Sequence, residues 1–258
     1  MFCPTKSMKL YKDLKVNIVQ VGAGGNGGYL CQKVARMIAS LRGDKEINYT
    51  IIDLDVVEKH NLKRQPFIYE DIGLNKAQVL AERYSSAYGI SIFSMDKYIH
   101  FAEDLEPFYE KDQFNIFIGA VDNNASRQVL HEFFMSVDDI YYIDGGIDEV
   151  SGETEEEKFE SGYTGQVVGG LRLNGETILD PVGIVYSNIL EDKTSSLPGT
   201  ACGLTVVNHP QRMQTNEYAA LIMQSYLQNV LYENTIISHY TNFNALTMSA
   251  RPVFLDEK

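Results

Sequence analysis

Val21-Gly22-Ala23-Gly24-Gly25-Asn26-Gly27 is the stretch that decides the fold of this chain. The run before it is short and rich in β-branched residues, which predicts a buried parallel strand. The segment after it, 29–41, has apolar residues at helical spacing. In such a strand–turn–helix unit, Gly22 permits the tight turn, Gly24 lets the backbone approach a phosphate, and Gly27 lets the helix pack on the strand. The helix N-terminus offers its unpaired N–H groups to the anion.

The next predicted strand, 49–53, ends in an acidic residue. A carboxylate at that position is placed to accept hydrogen bonds from ribose hydroxyls. The Gly-x-Gly-x-x-Gly pattern alone is weak evidence, because turns collect glycine for purely conformational reasons. With a strand at 15–21, a helix after the turn and Asp53 at the next strand end, the sequence predicts a nucleotide-binding βαβ unit, without saying which nucleotide.

A polar run follows, Asn61-Leu62-Lys63-Arg64-Gln65, and Lys76 opens the next predicted helix. Arg64 offers a planar fork of donors suited to phosphate, and Lys76 offers a mobile point charge. Asn61 and Gln65 can hydrogen-bond phosphate or ribose oxygens. Two cations close to a Gly-rich cradle suit the β- and γ-phosphates of a triphosphate, which diphosphate-linked dinucleotides lack.

A further buried strand is predicted at 114–121, followed by Asp122-Asn123 and a helix that contains Arg127. Ligands of open α/β sheets bind at the carboxyl ends of the strands. Asp122 is therefore positioned to hold Mg²⁺, which proteins bind through one or two carboxylates plus substrate phosphates. Asp122 could instead be the N-cap of that helix, and the two roles are compatible.

At these residues the sequence resembles the ThiF/MoeB superfamily, the adenylating domains related to ubiquitin-activating enzymes. The pattern of that family is a Gly-x-Gly-Gly-x-Gly turn, a strand ending Asp-x-Asp, an Asn-Leu-x-Arg-Gln run, a Gly-x-x-Lys helix start, and Asp-Asn after the fourth strand. Each of these motifs stands here in order. The stretch around Cys202 and Asn216 looks most like the ThiF-family proteins of bacterial PRTRC mobile-element systems.

The resemblance implies ATP-dependent adenylation of the C-terminal carboxylate of a small ubiquitin-like β-grasp protein ending in glycine, with release of pyrophosphate. It also implies a homodimer, and it gives each motif residue a role. The residues implied in nucleotide binding are Gly22, Gly24, Gly25, Gly27, Asp53, Asp55, Asn61, Arg64, Gln65 and Lys76. The residues implied in catalysis are Arg64, Lys76, Asp122 and Cys202, with Asp122 binding Mg²⁺.

Two departures from the family pattern stand out. Structural zinc in many members needs two Cys-x-x-Cys pairs, and the three cysteines of this chain cannot form a tetrathiolate site. The N-terminal segment of the family often carries an arginine that reaches a partner's active site. Here that segment has lysines and no arginine, so any such finger is a lysine, displaced or absent.

The three cysteines receive different interpretations. Several relatives place a catalytic cysteine, which forms a thioester or persulfide, in the stretch that holds Cys202. The alternative is a thiol that packs as a small hydrophobe. A lowered thiol pKa would need a nearby cation, for which His209 and Arg212 are candidates. Cys31 is expected in the core of the first helix, and Cys3 in a mobile terminus.

The pattern changes in the second half of the chain. Residues 151–161 are rich in Gly, Glu and Ser and predict a solvated loop. A hairpin is predicted over 163–173 and 176–179, turning at Asn174-Gly175. A helix over 216–232 and a last hairpin over 235–255 follow. The predicted fold class is therefore α/β, with a Rossmann-like, mainly parallel sheet that has helices on both faces and continues into antiparallel strands. Residues 1–145 form the ATP-binding half and 146–258 the antiparallel and helical half of the same domain.

Composition narrows the function. The formal charge is −13, with 22 basic and 35 acidic residues and no basic block, which argues against nucleic acid and favours a partner with a neutral or basic face. No apolar run reaches transmembrane length, and no signal peptide leads the chain, so no membrane role is expected. Three scattered cysteines are typical of a reducing cytoplasm.

Two rival functions remain open at this point. A Rossmann oxidoreductase that binds NAD would leave Arg64, Gln65 and Lys76 unexplained. A nucleotide-binding scaffold could keep the pocket and bind a partner protein without adenylating it.

Overall fold

The computed structural model describes residues 7–10, 15–195, 197 and 211–255. The strands are β1 (Met8–Lys9), β2 (Val16–Val21), β3 (Ile47–Ile52), β4 (Phe93–Met95), β5 (Phe114–Gly119), β6 (Ile140–Ile147), β7 (Thr164–Leu173), β8 (Glu176–Leu179), β9 (Thr235–Ile236), β10 (Ser238–Asn244) and β11 (Ser249–Phe254). The α-helices are α1 (Gly25–Ser40), α2 (Lys76–Tyr88), α3 (Asn124–Ser136), α4 (Glu155–Glu160), α5 (Val182–Val185), α6 (Asn188–Glu191) and α7 (Met213–Glu233). Three 3₁₀ helices span Asn61–Lys63, Tyr69–Asp71 and Ala102–Phe108.

The main sheet has nine strands in the order β11-β10-β7-β6-β5-β2-β3-β4, with β8 paired to β7. Strands β2 to β6 pair in parallel, and β7, β8, β10 and β11 join antiparallel. The chain reverses its direction of winding at β2, which lies between β3 and β5. Such a switch point opens a crevice at the carboxyl ends of the strands.

Helices cover both faces of the parallel strands, and each face has its own hydrophobic core. Alternate residues of one strand point to opposite faces, so Ile18 lies in the core shared with α1, α2 and α7. Its neighbour Val19 lies in the other core, with Phe133 and Phe134 of α3. Burial on both faces explains why β2 and β5 read as mainly apolar runs.

The predicted fold class is confirmed, with small shifts of boundary. Helix α1 begins at Gly25, four residues earlier than the apolar spacing indicated, because its first turn is built from the glycine run itself. The turn at Asn174-Gly175 is confirmed, and both residues have positive φ. The last hairpin is formed by β10 and β11, while β9 pairs with β1 outside it.

The prediction of a loop over 151–161 is wrong for its second half, which forms α4. Thr154 caps this helix: its hydroxyl accepts from the Glu157 N–H, and the Glu157 carboxylate accepts from the Thr154 N–H. This reciprocal cap and three glutamates in the first turn stabilise a helix that buries none of its residues. A Glu-rich composition indicated solvation correctly but did not exclude a helix.

Candidate functional site

The glycine turn lies between β2 and α1, at the switch point of the sheet. Gly22 has a φ of +100°, and a Cβ there would lie 2.4 Å from the carbonyl oxygen of Ala120. Gly27 packs the helix against the turn, since a Cβ on it would lie 2.3 Å from the Gly22 carbonyl oxygen. Gln20, which is fully buried, donates to the carbonyls of both glycines, over 2.8 and 3.1 Å. These bonds hold the turn on the side away from the cleft. The N-cap of α1 is Gly24, which has no side chain to accept from the helix N–H groups, and in the first turn the Gly27 N–H donates to Oδ1 of Asn26 over 3.1 Å.

Asp53 ties the end of β3 to this turn. One of its carboxylate oxygens accepts from the Ala23 N–H over 2.7 Å, and the other accepts from the Asp55 N–H over 2.8 Å. Burial raises the pKa of Asp53 to about 6, and Asp55 adds to the shift while Lys76 opposes it. The carboxylate lines the cleft where the sequence placed a ribose acceptor.

Asp55 and Lys76 form an ion pair on the same wall. The Lys76 ammonium, at the start of α2, lies 2.8 Å from Oδ2 of Asp55. The Tyr98 hydroxyl donates to Oδ1 of Asp55, also over 2.8 Å. Burial alone would raise the pKa of Asp55, but the charge of Lys76 and the two hydrogen bonds outweigh it and lower that pKa.

The polar run supplies the floor of the cleft. Asn61 is buried, and its side-chain oxygen accepts from the Glu58 N–H over 2.8 Å. Arg64 donates to the side-chain oxygen of Gln211 over 2.5 Å. Burial lowers the pKa of Arg64, and Asp122 opposes that shift. Gln65 is 6% exposed, and its side-chain oxygen has no hydrogen-bond partner among the described residues.

Asp122 lies at the rim of the cleft, after the end of β5, with an exposed side chain. The alternative role as N-cap of α3 is wrong, because the side chain of Asn123 accepts from the Ser126 N–H and caps the helix. Asp122 lines the cleft, where its carboxylate accepts a long hydrogen bond of 3.4 Å from Asn123 and acts on the charge of Arg64.

Together these elements enclose a cleft of about 550 Å³. Of the residues that the sequence nominated, Gly27 lies behind the wall and Cys202 lies outside the described residues. The others line the cleft: Gly22, Gly24, Gly25, Asp53, Asp55, Asn61, Arg64, Gln65, Lys76 and Asp122. A second cavity of about 770 Å³ adjoins it and shares Asp122, Asn123, Arg127 and Ile147 with it.

Sequence reasoning missed several residues of this site. Tyr98 and Gln211 hold Asp55 and Arg64, and neither stands in a motif that points to a ligand. Arg127 is buried between the two cavities, where it donates to Asp144 over 3.0 Å and to the Val121 carbonyl over 2.7 Å. The Tyr142 hydroxyl donates to the other oxygen of Asp144. An acid inside a strand that is otherwise apolar is the one signal that could have indicated this buried pair.

Of the predictions for the three cysteines, the structure tests the one for Cys31. Cys31 is fully buried, and burial raises the pKa of its thiol to about 11, so the prediction of a core residue is confirmed. Cys3, Cys202 and His209 lie outside the described residues. Arg212, the other candidate to activate Cys202, is committed elsewhere: its guanidinium donates to carbonyls at the end of α4 and lies 4.0 Å from the centre of the Tyr163 ring.

The donor set of the cleft fits a nucleotide with a magnesium ion. The buried acceptor of Gln65 and the first N–H groups of α1, which its N-cap Gly24 cannot bind, are polar groups that a ligand could satisfy. Among the described residues, no group of three or more His, Cys, Asp or Glu side chains could hold a metal. The exposed carboxylate of Asp122 has the chemistry of a Mg²⁺ ligand, since proteins bind this ion through one or two carboxylates together with phosphates.

The fold and the cleft define the class: a Rossmann-like α/β protein with a polar ligand cleft at the switch point of its sheet. The sequence profile of the ThiF family matches residues 4–168, and the chain belongs to that family. The family resemblance read from the motifs is thereby confirmed. The comparison with curated proteins found no significant match.

Solved structures share the fold. E. coli MccB with ATP superposes with a TM-score of 0.61 at 17% identity, over 95% of this chain and 64% of that one. MccB with AMPCPP and selenomethionine MccA gives 0.60 at 18% identity, over the same shares. PaaA gives 0.58 at 16% identity, over 93% of this chain and 73% of that one. This chain thus spans about 64% of the length of MccB. None of the described helices is long and apolar enough to cross a membrane.

Proposed function

We propose that this chain is an ATP- and Mg²⁺-dependent adenylyltransferase that activates the C-terminal carboxylate of a small ubiquitin-like protein ending in glycine. The observation that carries the proposal is the joining of the glycine turn, Asp53, Arg64 and Lys76 in one cleft. Membership of the ThiF family supports it. The structures of MccB, which has this fold, also support it, because MccB was solved with ATP and with AMPCPP and MccA.

The reaction forms one bond and breaks one. A carboxylate oxygen of the partner attacks the α-phosphorus of ATP, the bond from that phosphorus to the bridging oxygen breaks, and pyrophosphate leaves with the electron pair. The chain positions the two reactants and neutralises the charge that builds on the leaving pyrophosphate. Arg64 and Lys76 supply cationic donors for this, and Asp53 holds the ribose.

Asp122 would hold the magnesium ion together with the phosphates. When bound, Mg²⁺ neutralises phosphate charge as a Lewis acid. The side chain at the rim suits this role because it is exposed, lines both cavities and is not used as a helix cap.

The second cavity gives the tail of the partner a route to the cleft, because the two cavities meet at Asp122 and Arg127. With a formal charge of −13, the chain favours a partner with a neutral or basic face. A homodimer and a thioester on Cys202 belong to the same proposal and are implied by the family resemblance alone. A cytoplasmic location also belongs to it, and that rests on the three scattered cysteines.

ATP–pyrophosphate exchange tests the proposal, with each small Gly-ending β-grasp protein encoded beside the gene as candidate substrate. We expect exchange that depends on one of these proteins and falls at least about 100-fold in Asp122→Ala and Arg64→Ala. Lys63→Ala is the matched control, because Lys63 is an exposed cation next to Arg64 that does not line the cleft.

Three outcomes would overturn the proposal. Exchange that survives Asp122→Ala or Arg64→Ala contradicts the assigned chemistry. Bound ATP without exchange, with all candidate partners, favours the scaffold. Fluorescence titration that detects NAD but not ATP binding favours the oxidoreductase.

A further inference from the structure

Tyr98 lies on the wall of the cleft, three residues after the short strand β4. Its hydroxyl donates to Oδ1 of Asp55 over 2.8 Å, while the Lys76 ammonium holds Oδ2 over 2.8 Å. The ring stacks on His100 at 5.9 Å between centroids, which fixes its orientation. Two donors from two different segments therefore clamp one carboxylate between them.

The bond from Tyr98 to Asp55 restrains the position of the Lys76 ammonium, which is paired with the same carboxylate. Asp55 has a side chain that is 46% exposed, whereas the side chain of Lys76 is 8% exposed. A partly exposed carboxylate has several rotamers open to it, and an ion pair alone does not select one. The bond from Tyr98 selects one rotamer of Asp55, and the Lys76 ammonium bound to the other oxygen of that carboxylate lines the cleft beside it.

The hydroxyl also moderates the strength of the ion pair. Part of the charge of Asp55 is taken up by the phenol, so the carboxylate competes less strongly with a phosphate for the ammonium. Burial raises the pKa of Tyr98 to about 12, with Asp55 adding to the shift, so the hydroxyl stays protonated and remains a donor at physiological pH.

We propose that Tyr98 is a positioning residue that acts through Asp55 to hold the Lys76 ammonium where the phosphates of ATP bind. This inference rests on the proposed function, because it takes the ligand to be ATP. Neither the glycine turn nor the polar run includes Tyr98, and its role is visible only where β4 lies beside β3.

The test is a double-mutant cycle on ATP affinity, measured by calorimetry on the full chain. Tyr98→Phe should weaken ATP binding about 3- to 10-fold in the wild-type background and less than about 2-fold in the Asp55→Asn background, because the two residues act in series. Tyr88→Phe is the matched control: it deletes a hydroxyl that accepts a bond from Gln32 on the exposed surface, and it should leave affinity unchanged. Equal losses in both backgrounds, or no loss in either, would overturn the inference.

A second readout needs no nucleotide. Carboxyl NMR of the ligand-free chain should show the pKa of Asp55 rising in Tyr98→Phe, since the lost bond favoured the ionised form. The charged and titratable groups that face Asp55 are Asp53, Lys76 and Tyr98, and the nearby Lys97 is paired with Asp104 at 3.2 Å. An unchanged Asp55 titration would show that Tyr98 does not act through it.

The two proposals fail in different ways. If the chain binds ATP but catalyses no exchange, the proposed function is contradicted, and the double-mutant cycle on ATP affinity can still test the role of Tyr98. A chain that catalyses exchange but tolerates Tyr98→Phe at full ATP affinity loses only this inference. A wild-type chain that bound no ATP would overturn both, and the Asp55 titration would still decide whether the tyrosine holds that carboxylate.

Discussion

Two walls of the cleft carry an ion pair each, and the pairs are built differently. On the β5–β6 wall, Arg127 and Asp144 have side chains that are 10% and 1% exposed, and both are surrounded by further hydrogen-bond partners. On the β3–α2 wall, Lys76 is equally buried, but its partner Asp55 is 46% exposed. The first pair is almost fully buried where the two cavities meet, whereas the second keeps one partner, Asp55, partly exposed to solvent.

The difference indicates different tasks. A nearly buried pair that is held by further hydrogen bonds cannot lose one partner without a large cost in stability, so it fixes the junction of the two cavities. A pair with a hydrated partner can exchange one partner for a phosphate. The β3–α2 wall also holds Asp53, whose pKa is raised by burial. The titratable groups with which a bound ligand could interact are therefore concentrated on this wall.

The largest effect is expected where the buried pair is broken. Arg127→Met should lower the free energy of unfolding by about 3–5 kcal/mol, because it leaves Asp144 buried without its counter-charge. Denaturant unfolding measures this. The double variant Arg127→Met/Asp144→Asn should recover more than half of the loss. A loss below about 1 kcal/mol for Arg127→Met would remove the contrast between the walls.

Substitution in the glycine turn, which joins the two walls, should lower the free energy of unfolding almost as much. Gly22→Ala should lower the free energy of unfolding by about 2–4 kcal/mol, from its positive φ and from the approach of its Cβ to the Ala120 carbonyl. Gly43→Ala is the matched control, because Gly43 has a φ of +91° and an added methyl group there would meet no atom within 4 Å. It should lose only about 1–2 kcal/mol. Equal losses would show that the close approach contributes nothing.

Asp53 makes the charge on the β3–α2 wall measurable. Carboxyl NMR should show it titrating near pH 6, whereas Asp55 should titrate below the ordinary range of aspartate. Because the folded chain binds this proton more tightly than the unfolded chain does, ionising Asp53 lowers the free energy of unfolding as pH rises from about 4 to about 6, by about 1–3 kcal/mol. A midpoint at or below about 4 would mean that the carboxylate is not under strain from burial.

The sequence predicted the β3–α2 wall better than the β5–β6 wall. Local motifs encode the glycine turn, Asp53 and Lys76, because backbone conformation and strand ends fix where such residues lie. Tyr98 follows a strand of three exposed residues that has no periodic signal, so only the assembled sheet places it. Asp144 lies inside β6, where charge is rare, and its partner comes from another element.

The helix cap shows a finer limit. Asp122 and Asn123 are both of favoured N-cap types; the sequence suggested Asp122 as a possible cap, whereas the structure uses Asn123. The cap position is the residue before the helix; α3 begins at Asn124, which leaves Asp122 one residue too early for the cap. A boundary shift of one residue therefore decides whether a carboxylate is structural or free to bind a ligand.

Lys76→Met tests the partly exposed ion pair on the β3–α2 wall. It should lower the free energy of unfolding by only about 1 kcal/mol, because Asp55 can be hydrated once its partner is gone. Under the proposed function it should weaken ATP binding at least about 10-fold, since a phosphate donor is lost. Calorimetry and denaturant unfolding of one preparation give both values. A loss of stability as large as that of Arg127→Met would show that the pair is structural.

The exposed pair Lys158–Glu155 on α4 completes the series, with side chains 46% and 93% exposed at a distance of 2.9 Å. Lys158→Ala should change the free energy of unfolding by less than about 0.5 kcal/mol, because water and salt screen a surface pair. Unfolding at low and high ionic strength measures the residual contribution, which should shrink further in high salt. If this variant lost as much stability as Lys76→Met, solvent exposure would not be what separates the two walls. The contrast would then have to come from hydrogen-bond geometry.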